Sequence, residues 1–252
     1  MEQVKIIISG AKGRMGKKVF EAVCENQKTK AVCGVDIVED FSNKDYPIYS
    51  SISDVKEKAD VLIDFSSPKS LDSILDYVTK NNIKAVLCST GYTEEQLALI
   101  DKASEKTAIF RSANMSLGVN VLIKLVKDAV SSLSSFDIEI IEKHHNKKVD
   151  APSGTALMLA DGIKEVDNSK FYVYGREGIV GIRDANEIGI HAIRGGNIVG
   201  EHQVIFAGEN ETLTFTHQAT DRGVFAIGAT FASIFLSNKE KGLFNMNDLL
   251  NK

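Results

Sequence analysis

The sequence predicts an α/β protein with a doubly wound parallel sheet, followed by a second α+β domain with an open mixed sheet. Three observations predict this class. Branched apolar runs alternate with helical patterns over residues 1–114, a glycine-rich turn follows the first run, and turns rather than helices separate the later strands. Strands that alternate with helices are joined by crossovers, which produce a parallel sheet with helices on its faces.

Length and composition indicate two compact domains. The chain has 252 residues, which exceeds the roughly 100 to 200 residues of a typical single domain. Its hydrophobic share of 43% and charged share of 25% are ordinary for a globular protein, and its three prolines are too few for a long disordered linker.

Charge and hydropathy exclude several classes of partner. The chain carries 30 basic and 34 acidic residues without a dense basic block, so we expect no nucleic acid partner. No apolar stretch reaches the roughly 18 residues of a membrane span, and the start MEQVKIIISG lacks the apolar core of a signal peptide. We therefore expect no membrane association and a cytoplasmic location. Cys24, Cys33 and Cys88 form no CxxC pair, so neither a disulfide framework nor a metal site is expected.

The elements of the first domain follow from the apolar patterns. The predicted strands are residues 4–9, 30–35, 61–65, 85–88 and 108–111, and the predicted helices are residues 14–26, 70–80 and 93–104.

Near Asn114 the pattern changes, and we place the domain boundary there. A long helix over residues 117–133 leads into strands at 136–144, 188–194, 200–207 and 212–218, with one helix after Ser153. This second domain, residues 115–222, is predicted to contain a mixed or antiparallel sheet. The apolar run 225–236 predicts a C-terminal helix, placed within residues 223–252, that returns to the first domain, residues 1–114.

A glycine turn joins the first strand to the first helix. Gly10, Gly13 and Gly16 lie in the run GAKGRMG. A bound pyrophosphate needs a tight turn, a backbone free of side chains and the N–H groups of a helix start, so this context predicts a Rossmann dinucleotide-binding domain. The spacing is GxxGxxG rather than GxGxxG, and a plain turn is the alternative.

Asp36 ends the second strand, about 20 residues after the glycines, where an acid can bond the ribose hydroxyls of NAD. A carboxylate there repels the 2′-phosphate of NADP, whereas Lys12 and Arg14 in the glycine loop can attract it. We therefore predict NADH as the preferred cofactor and NADPH as a tolerated one. The alternative for Asp36 is a solvated loop acid.

Two further loops follow strand ends, where ligands of parallel sheets collect. They are residues 64–68, with Phe65, and residues 88–92, with Cys88, Ser89 and Thr90. Small hydroxylated residues allow a nicotinamide ring to lie close to the backbone. The alternative, compatible with this one, is that Ser67 and Thr93 are helix N-caps.

The run EKHHNKKVDAPSGTAL, residues 142–157, concentrates polar chemistry. His144 and His145 can face one ligand only if the strand ends by His144. Pro152 and Ser153 are predicted to open a helix, so the N–H groups of Gly154 and Thr155 and the hydroxyls of Ser153 and Thr155 form a seat for a carboxylate. Lys148 adds a positive charge and, where neighbouring cations favour loss of its proton, a proton donor.

Other interpretations of this run are weaker. Zinc would need a third histidine or cysteine at ligand spacing, and none is present. Lys147 and Lys148 could be a solvated charge run and Ser153 a plain cap. His191, His202 and His217 lie singly in strand patterns and are expected to be structural, although His202 follows a glycine turn and could lie near the site.

These motifs together resemble the 4-hydroxy-tetrahydrodipicolinate reductase (dihydrodipicolinate reductase) family of bacterial lysine and diaminopimelate biosynthesis, over nearly the whole chain. The similarity includes GAKGRMG, the loops 64–68 and 89–91, ANMSLGVN at 113–120, the run 142–157 and IRGGNIVGEH at 193–202. The run 142–157 is highly specific, and the glycine turn alone is not.

The resemblance implies an enzyme in which NAD(P)H reduces C4 of a cyclic imine dicarboxylate, with loss of the 4-hydroxyl as water. His144 and Lys148 resemble the catalytic pair, with Lys148 as proton donor, and His145, Ser153, Gly154 and Thr155 resemble the substrate carboxylate binders. The second domain is implied to join a homotetramer through its sheet. The implied cofactor-binding residues are Gly10, Lys12, Gly13, Arg14, Met15, Gly16, Asp36, Phe65, Cys88, Ser89, Thr90, Ala113, Asn114 and Met115.

The chain departs from the family pattern at three positions. Cys88 stands where glycine or alanine is more common, and Met115 stands where an aromatic residue is common, both near the expected nicotinamide. Ile37 stands where members that tolerate NADP have arginine, which favours NAD.

Two rival functions fit the sequence less well. A dehydrogenase of the aspartate-semialdehyde or homoserine type would need a catalytic cysteine in a polar motif, and none is offered. A redox-sensing regulator would need a helix-turn-helix, and we expect none because the chain begins directly at the first strand.

Overall fold

The computed structural model describes residues 2–251, and Met1 and Lys252, at the outer limits of the predicted domains, lie outside the described residues. The chain divides into two compact units. The first contains the residues up to Leu117 together with those from Arg222 onward, and the second contains Gly118–Asp221. The first unit is therefore made from two separate stretches of chain.

A parallel sheet of seven strands forms the centre of the first unit. Its strands are β1 (Val4–Ser9), β2 (Thr29–Val35), β3 (Ile48–Tyr49), β4 (Val61–Asp64), β5 (Lys84–Leu87), β6 (Ala108–Arg111) and, after the second unit, β12 (Gly242–Phe244). They lie in the order β12-β6-β5-β4-β1-β2-β3. The direction of winding reverses between β1 and β4, and doubly wound sheets bind ligands at the carboxyl ends of the strands at such a point.

Helices cover both faces of this sheet, and alternate strand residues enter two hydrophobic cores because successive side chains point to opposite faces. Ile6 and Ile8 pack in one core and Ile7 in the other. The first core also receives apolar residues of α1 and α6, and the second receives those of α2 and α3. The helices of this unit are α1 (Arg14–Glu25), α2 (Leu71–Asn81), α3 (Glu94–Ser104), α6 (Gly223–Ser237) and α7 (Met246–Leu250).

The second unit packs two helices against one face of a mixed five-stranded sheet. Its elements are α4 (Leu117–Ser132), β7 (Asp137–His144), α5 (Gly154–Val166), β8 (Phe171–Tyr174), β9 (Glu187–Arg194), β10 (Gly200–Ala207) and β11 (Thr212–Ala219). The strand order is β11-β10-β7-β9-β8, with antiparallel pairs on the β11 side of β7 and parallel pairs on the other. Ile138 and Ile140 of β7 are buried in the core with α4 and α5.

The predicted fold class is confirmed, and the differences lie in short or exposed elements. The C-terminal helix predicted over 225–236 is confirmed as α6, but one helix over the whole of 223–252 is wrong, because α6 ends at Ser237 and the chain then forms β12 and α7. Gly242, with φ of 123°, begins β12 in a conformation that other residues rarely adopt. Strands β3 and β8 were not predicted: β3 has two residues, and β8 leaves Phe171 and Tyr174 exposed at the sheet edge.

Candidate active site

The glycine turn after β1 needs glycine for steric reasons. Gly10 has φ of 78°, and a Cβ there would lie 2.9 Å from the carbonyl oxygen of Phe65. A Cβ at Gly16 would overlap the carbonyl oxygen of Gly10. The turn is therefore packed both against the loop after β4 and against the first turn of α1.

The start of α1 is available to an anion. Gly13 is its N-cap and supplies no side-chain cap, and no acidic residue lies in the first turn. The first N–H groups of a helix lack partners within the helix and carry the positive end of its dipole. Lys12 and Arg14 have exposed side chains beside this turn, whereas Met15 is half-buried against the first core.

A cleft of about 390 Å³ opens beside the turn and is lined by residues of the first unit, including Gly10, Gly13, Asp36 and Phe65. Its volume is within the range of small-molecule sites. An uncapped helix start, a turn without side chains and an acid at the end of β2 are what a dinucleotide requires, so these residues fit a nicotinamide dinucleotide.

Asp36 follows β2 directly and is tied to the glycine loop. Its carboxylate accepts the N–H groups of Lys12 at 2.7 Å and Ile37 at 2.8 Å. The Lys12 ammonium lies 3.6 Å from Asp40. Hydrogen bonds from Ser42, aided by Lys12, lower the pKa of Asp40, which is therefore ionised at neutral pH. The positive charge of Lys12 thus already has an anionic neighbour.

The loops after β4 and β5 are joined by Asp64, whose carboxylate is almost completely buried. It accepts hydrogen bonds from the N–H and hydroxyl of Ser66 and, at 2.8 Å, from the hydroxyl of Ser89. Phe65 and Ser89 are half-buried and Thr90 is exposed. Cys88 is buried, and burial raises the pKa of its thiol well above the usual value, so it stays protonated.

The predicted helix caps in these loops differ from each other. Thr93 caps α3 and forms a capping box with Gln96. Ser67 stands at the N-cap of a short 3-10 helix over Pro68–Ser70 but makes no side-chain cap bond. The cap interpretation therefore holds fully for Thr93 alone of the two.

The segment after β6 places its three candidate residues differently. Ala113 is exposed, whereas Asn114 and Met115 are buried. Asn114 accepts the N–H of Ser116 at 2.9 Å through its side-chain oxygen. The side chain of Met115 belongs to the first hydrophobic core, and a Cβ at Gly228 would overlap its carbonyl oxygen. Met115 therefore acts at least as a packing residue.

In the second unit, strand β7 ends at His144 and carries a buried acid two residues earlier. Glu142 has no exposed surface, and its carboxylate accepts hydrogen bonds from His144 Nδ1 at 2.6 Å and from the N–H of Ser153 at 3.0 Å. Arg194 binds both oxygens, at 2.7 and 2.8 Å. Burial opposes ionisation, but the bonds from Arg194 and His144 outweigh it and lower the pKa of Glu142.

Two imidazoles lie side by side in this cluster. The rings of His144 and His202 meet edge to face with centroids 5.2 Å apart, and His202 Nε2 lies 3.0 Å from the hydroxyl of Ser153. Burial lowers the pKa of His144 and lowers that of His202 to about 4. Both rings are therefore mainly neutral at neutral pH. His202, which follows the glycine turn, thus lies beside His144 and Ser153, two of the candidate site residues.

Helix α5 starts beside these rings. The structure places Ser153 at its N-cap, with the hydroxyl accepting the N–H of Ala156 at 3.2 Å, and the helix begins at Gly154 rather than at Pro152. Gly154 is exposed, Thr155 is half-buried, and the first turn contains no acid. The first-turn N–H groups and the dipole of α5 favour an anion at this point.

Lys148 lies on the loop between β7 and α5. Its ammonium binds both carboxylate oxygens of Asp150, at 2.8 and 2.9 Å, so its direct partner is an anion rather than the neighbouring cations that the sequence argument required. Arg194 donates to the carbonyl oxygen of Asp150 at 2.8 Å. His145 is half-buried, and its Nδ1 is buried without a hydrogen-bond partner in the described structure.

Glu142 and Arg194 are the residues that sequence reasoning did not assign. Strand alternation could have indicated Glu142, because this residue lies on the same face of β7 as Ile138 and Ile140, which are buried. A carboxylate buried on such an apolar face needs a cationic partner. Arg194 is that partner, but it lies 52 residues away in sequence.

Two kinds of site are absent from the part of the chain that the structure describes. Among residues 2–251, no group of histidine, cysteine, aspartate and glutamate side chains is arranged to hold a metal ion. Within the same range no helix has the length and apolar character needed to cross a membrane.

The two units together define a class of protein. The first has the strand order, glycine turn and acid of a dinucleotide-binding domain, and the second carries a histidine, a lysine and a helix start. This is a two-domain oxidoreductase that uses a nicotinamide cofactor.

Family comparisons identify it further. The family described as dihydrodipicolinate reductase, N-terminus, matches residues 4–115, and the one described as dihydrodipicolinate reductase, C-terminus, matches residues 118–250. The chain belongs to the dihydrodipicolinate reductase family. It is 50% identical over 250 residues to the 4-hydroxy-tetrahydrodipicolinate reductase of Caldanaerobacter subterraneus subsp. tengcongensis, which covers 99% of both chains. It is 48% identical over 248 residues to that of Clostridium novyi, which covers 98% of both.

A solved structure shares the fold at full length. The dipicolinate-bound dihydrodipicolinate reductase from Paenisporosarcina sp. TG-14 has a TM-score of 0.83 and 28% identity, covering 97% of this chain and 99% of that one. A meso-diaminopimelate dehydrogenase variant from Clostridium tetani has a TM-score of 0.59 at 15% identity, with 98% of this chain and 94% of that one covered, and shares the fold alone.

The buried histidines predict how stability depends on pH. The unfolded chain binds a proton at His202 below about pH 6.5, and the folded protein does so only below about pH 4. The free energy of unfolding should therefore decrease as the pH is lowered from 6.5 to 4, by on the order of 3 kcal/mol from His202. Urea unfolding at several pH values checks this. His202→Gln should show a shallower decrease, and an unchanged slope would contradict the assignment.

Proposed function

We propose that this protein reduces 4-hydroxy-tetrahydrodipicolinate to tetrahydrodipicolinate with a nicotinamide cofactor, in lysine and diaminopimelate biosynthesis. One observation carries the proposal: in a member of this family, one buried carboxylate binds both a neutral imidazole and the start of a helix suited to an anion, and Lys148 lies on the loop between them. The chemistry of that assembly suits a planar dianion that must be held and protonated.

The substrate carboxylates are assigned to the start of α5. The N–H groups of Gly154 and Thr155 and the hydroxyls of Ser153 and Thr155 provide donors in the positive field of the helix dipole. His145 adds a ring nitrogen that is buried and unpaired within the described structure. A carboxylate held by such donors gains hydrogen bonds that are stronger than neutral ones.

The proton is assigned to Lys148. The nicotinamide, when bound, supplies the hydride for C4 of the substrate. The Nζ ammonium of Lys148 donates to Asp150, which holds it in one position. When the substrate binds, the ammonium would donate to the substrate instead. Because Nδ1 of His144 donates to the Glu142 carboxylate, Nε2 of the neutral ring is an acceptor, which suits His144 to orient a substrate hydroxyl or N–H group rather than to act as an acid.

The first unit is assigned to the cofactor. The glycine turn and the start of α1 would hold the pyrophosphate through Gly10, Lys12, Gly13, Arg14, Met15 and Gly16. The nicotinamide end is assigned to Phe65, Cys88, Ser89, Thr90, Ala113, Asn114 and Met115. Asp36 would accept hydrogen bonds from the ribose hydroxyls. The charge of Lys12 is already paired with Asp40, so the carboxylates of Asp36 and Asp40 would both repel a 2′-phosphate. These charges support NADH as the preferred cofactor and NADPH as the tolerated one.

A homotetramer in the cytoplasm completes the proposal. Ile193 and Leu213 on the sheet of the second unit are 45% and 42% exposed, and Ile179 and Ile182 on the loop between β8 and β9 are fully exposed. Large apolar side chains in water favour association, which supports a contact between copies through the second unit.

Substitution of the catalytic pair tests the function. With freshly generated product of dihydrodipicolinate synthase, the wild-type protein should oxidise NADH. Lys148→Ala and His144→Ala should lower kcat by about 10²-fold or more, because each removes a group that acts in proton transfer or orientation. NADH affinity should persist, since the cofactor residues belong to the other unit.

Lys147→Ala is the matched control, because it removes the neighbouring exposed lysine. Its activity should equal that of the wild type. An inactive wild-type protein would reject the proposed function, and equal losses in the Lys147 and Lys148 variants would reject the role of Lys148.

Cofactor choice is tested at the acids beside Lys12. Asp36→Ala should lower kcat/KM for NADH by about 10-fold or more, because a charged hydrogen bond to the ribose is lost. The value for NADPH should decrease less. Asp40→Ala should raise kcat/KM for NADPH, because Lys12 loses its ion pair with Asp40 and can bind the 2′-phosphate. The value for NADH should not change. The measurement is kcat/KM for each cofactor. An unchanged NADH-to-NADPH ratio in both variants would contradict the assignment.

A further inference from the structure

Glu142 lies at a junction in the second unit. Its oxygen Oε1 accepts the N–H of Ser153 and one guanidinium nitrogen of Arg194, at 3.0 and 2.7 Å. Oε2 accepts Nδ1 of His144 and the other guanidinium nitrogen, at 2.6 and 2.8 Å. Each oxygen therefore has one partner in Arg194 and one in a candidate site residue.

We propose that Glu142 is a positioning residue for the reduction: its carboxylate holds His144 in the tautomer with hydrogen on Nδ1 and fixes the start of α5 beside that ring. The inference rests on the proposed function, because it assigns to Glu142 the placement of two groups that the proposed chemistry uses.

The tautomer follows from hydrogen-bond chemistry. An ionised carboxylate only accepts hydrogen bonds, so His144 must carry its hydrogen on Nδ1, and Nε2 of the neutral ring is then an acceptor. A Cβ at Gly200 would lie 3.1 Å from Nε2, so glycine keeps that nitrogen from being crowded. The charged and titratable groups that act on the ring are Glu142, Lys148 and Arg194, with His202 against its edge.

Arg194 has a different role in the same cluster. Its two-pronged contact neutralises a carboxylate that has no exposed surface, and a buried charge without such a partner is strongly destabilising. It also holds the carbonyl oxygen of Asp150, on the loop that carries Lys148. Arg194 thus allows Glu142 to be buried, whereas Glu142 sets the hydrogen on His144.

The tautomer of His144 is directly measurable in the wild-type protein. The chain has five histidines, so ¹³C-labelled histidine gives few ring signals, and loss of one in His144→Gln identifies that of His144. The ring-carbon shifts should be those of the Nδ1–H form near neutral pH. Shifts of the Nε2–H form would overturn the proposal without any variant of Glu142.

Two variants separate positioning from structural support. Glu142→Gln replaces one accepting oxygen with an NH₂ group, which donates a hydrogen bond to Nδ1 of His144. His144 should therefore change to the Nε2–H form, and kcat should decrease by about 10²-fold with NADH affinity unchanged. Arg194→Lys disturbs the same buried cluster but keeps the carboxylate, so the Nδ1–H form should remain. A tautomer unchanged in Glu142→Gln, or changed equally in both variants, would overturn the proposal.

Glu139→Gln is the matched control. Glu139 is on the same strand and also binds arginines and a histidine, namely Arg176, Arg183 and His191, but outside the candidate site. Its replacement should leave the His144 signal and kcat unchanged, within about twofold, in protein of unchanged size. A wild-type protein that fails to reduce the substrate would reject the proposed function, whereas the tautomer measurement would still decide the role of Glu142.

Discussion

The second unit depends on one buried carboxylate and its arginine. Glu142 is completely buried, and four hydrogen bonds from Arg194, His144 and Ser153 keep it ionised. Breaking a buried pair by removing one partner costs about 3–5 kcal/mol, whereas an apolar replacement of the whole pair is often neutral. Stability alone therefore does not account for the pair. The geometry of the pair does, because the carboxylate connects the end of β7, the start of α5 and the end of β9.

The two units share one structural feature. In each, a helix begins beside the end of a strand, and its first N–H groups and dipole favour an anion. In the first unit, Gly13 caps α1 without a side chain, which leaves room for a pyrophosphate. In the second, the Ser153 side chain caps α5, and the polar groups beside it suit a smaller carboxylate. In the function we propose, the neighbours of each helix start distinguish the two ligands: Asp36 in the first unit, and His144 with Lys148 in the second.

Local patterns in the sequence were sufficient for most of the fold and part of the site. The glycine turn, the Thr93 cap and the run 142–157 could be predicted because each is formed by residues that are close together in sequence. Contacts between residues far apart in sequence could not be predicted from local patterns: Arg194 binds Glu142 across 52 positions, and Lys12 pairs with Asp40, which lies beyond α1 and β2. The core position of Met115 also depends on packing against α6, and the end of α6 at Ser237 depends on the strand pairing of β12.

A crystal structure of the complex with pyridine-2,6-dicarboxylate would show directly whether residues 144–155 bind a dicarboxylate, as we propose. We expect one carboxylate on the N–H groups of Gly154 and Thr155, with Lys148 within hydrogen-bonding distance of the ligand. A ligand bound away from this segment, with Lys148 still paired to Asp150, would contradict this proposal.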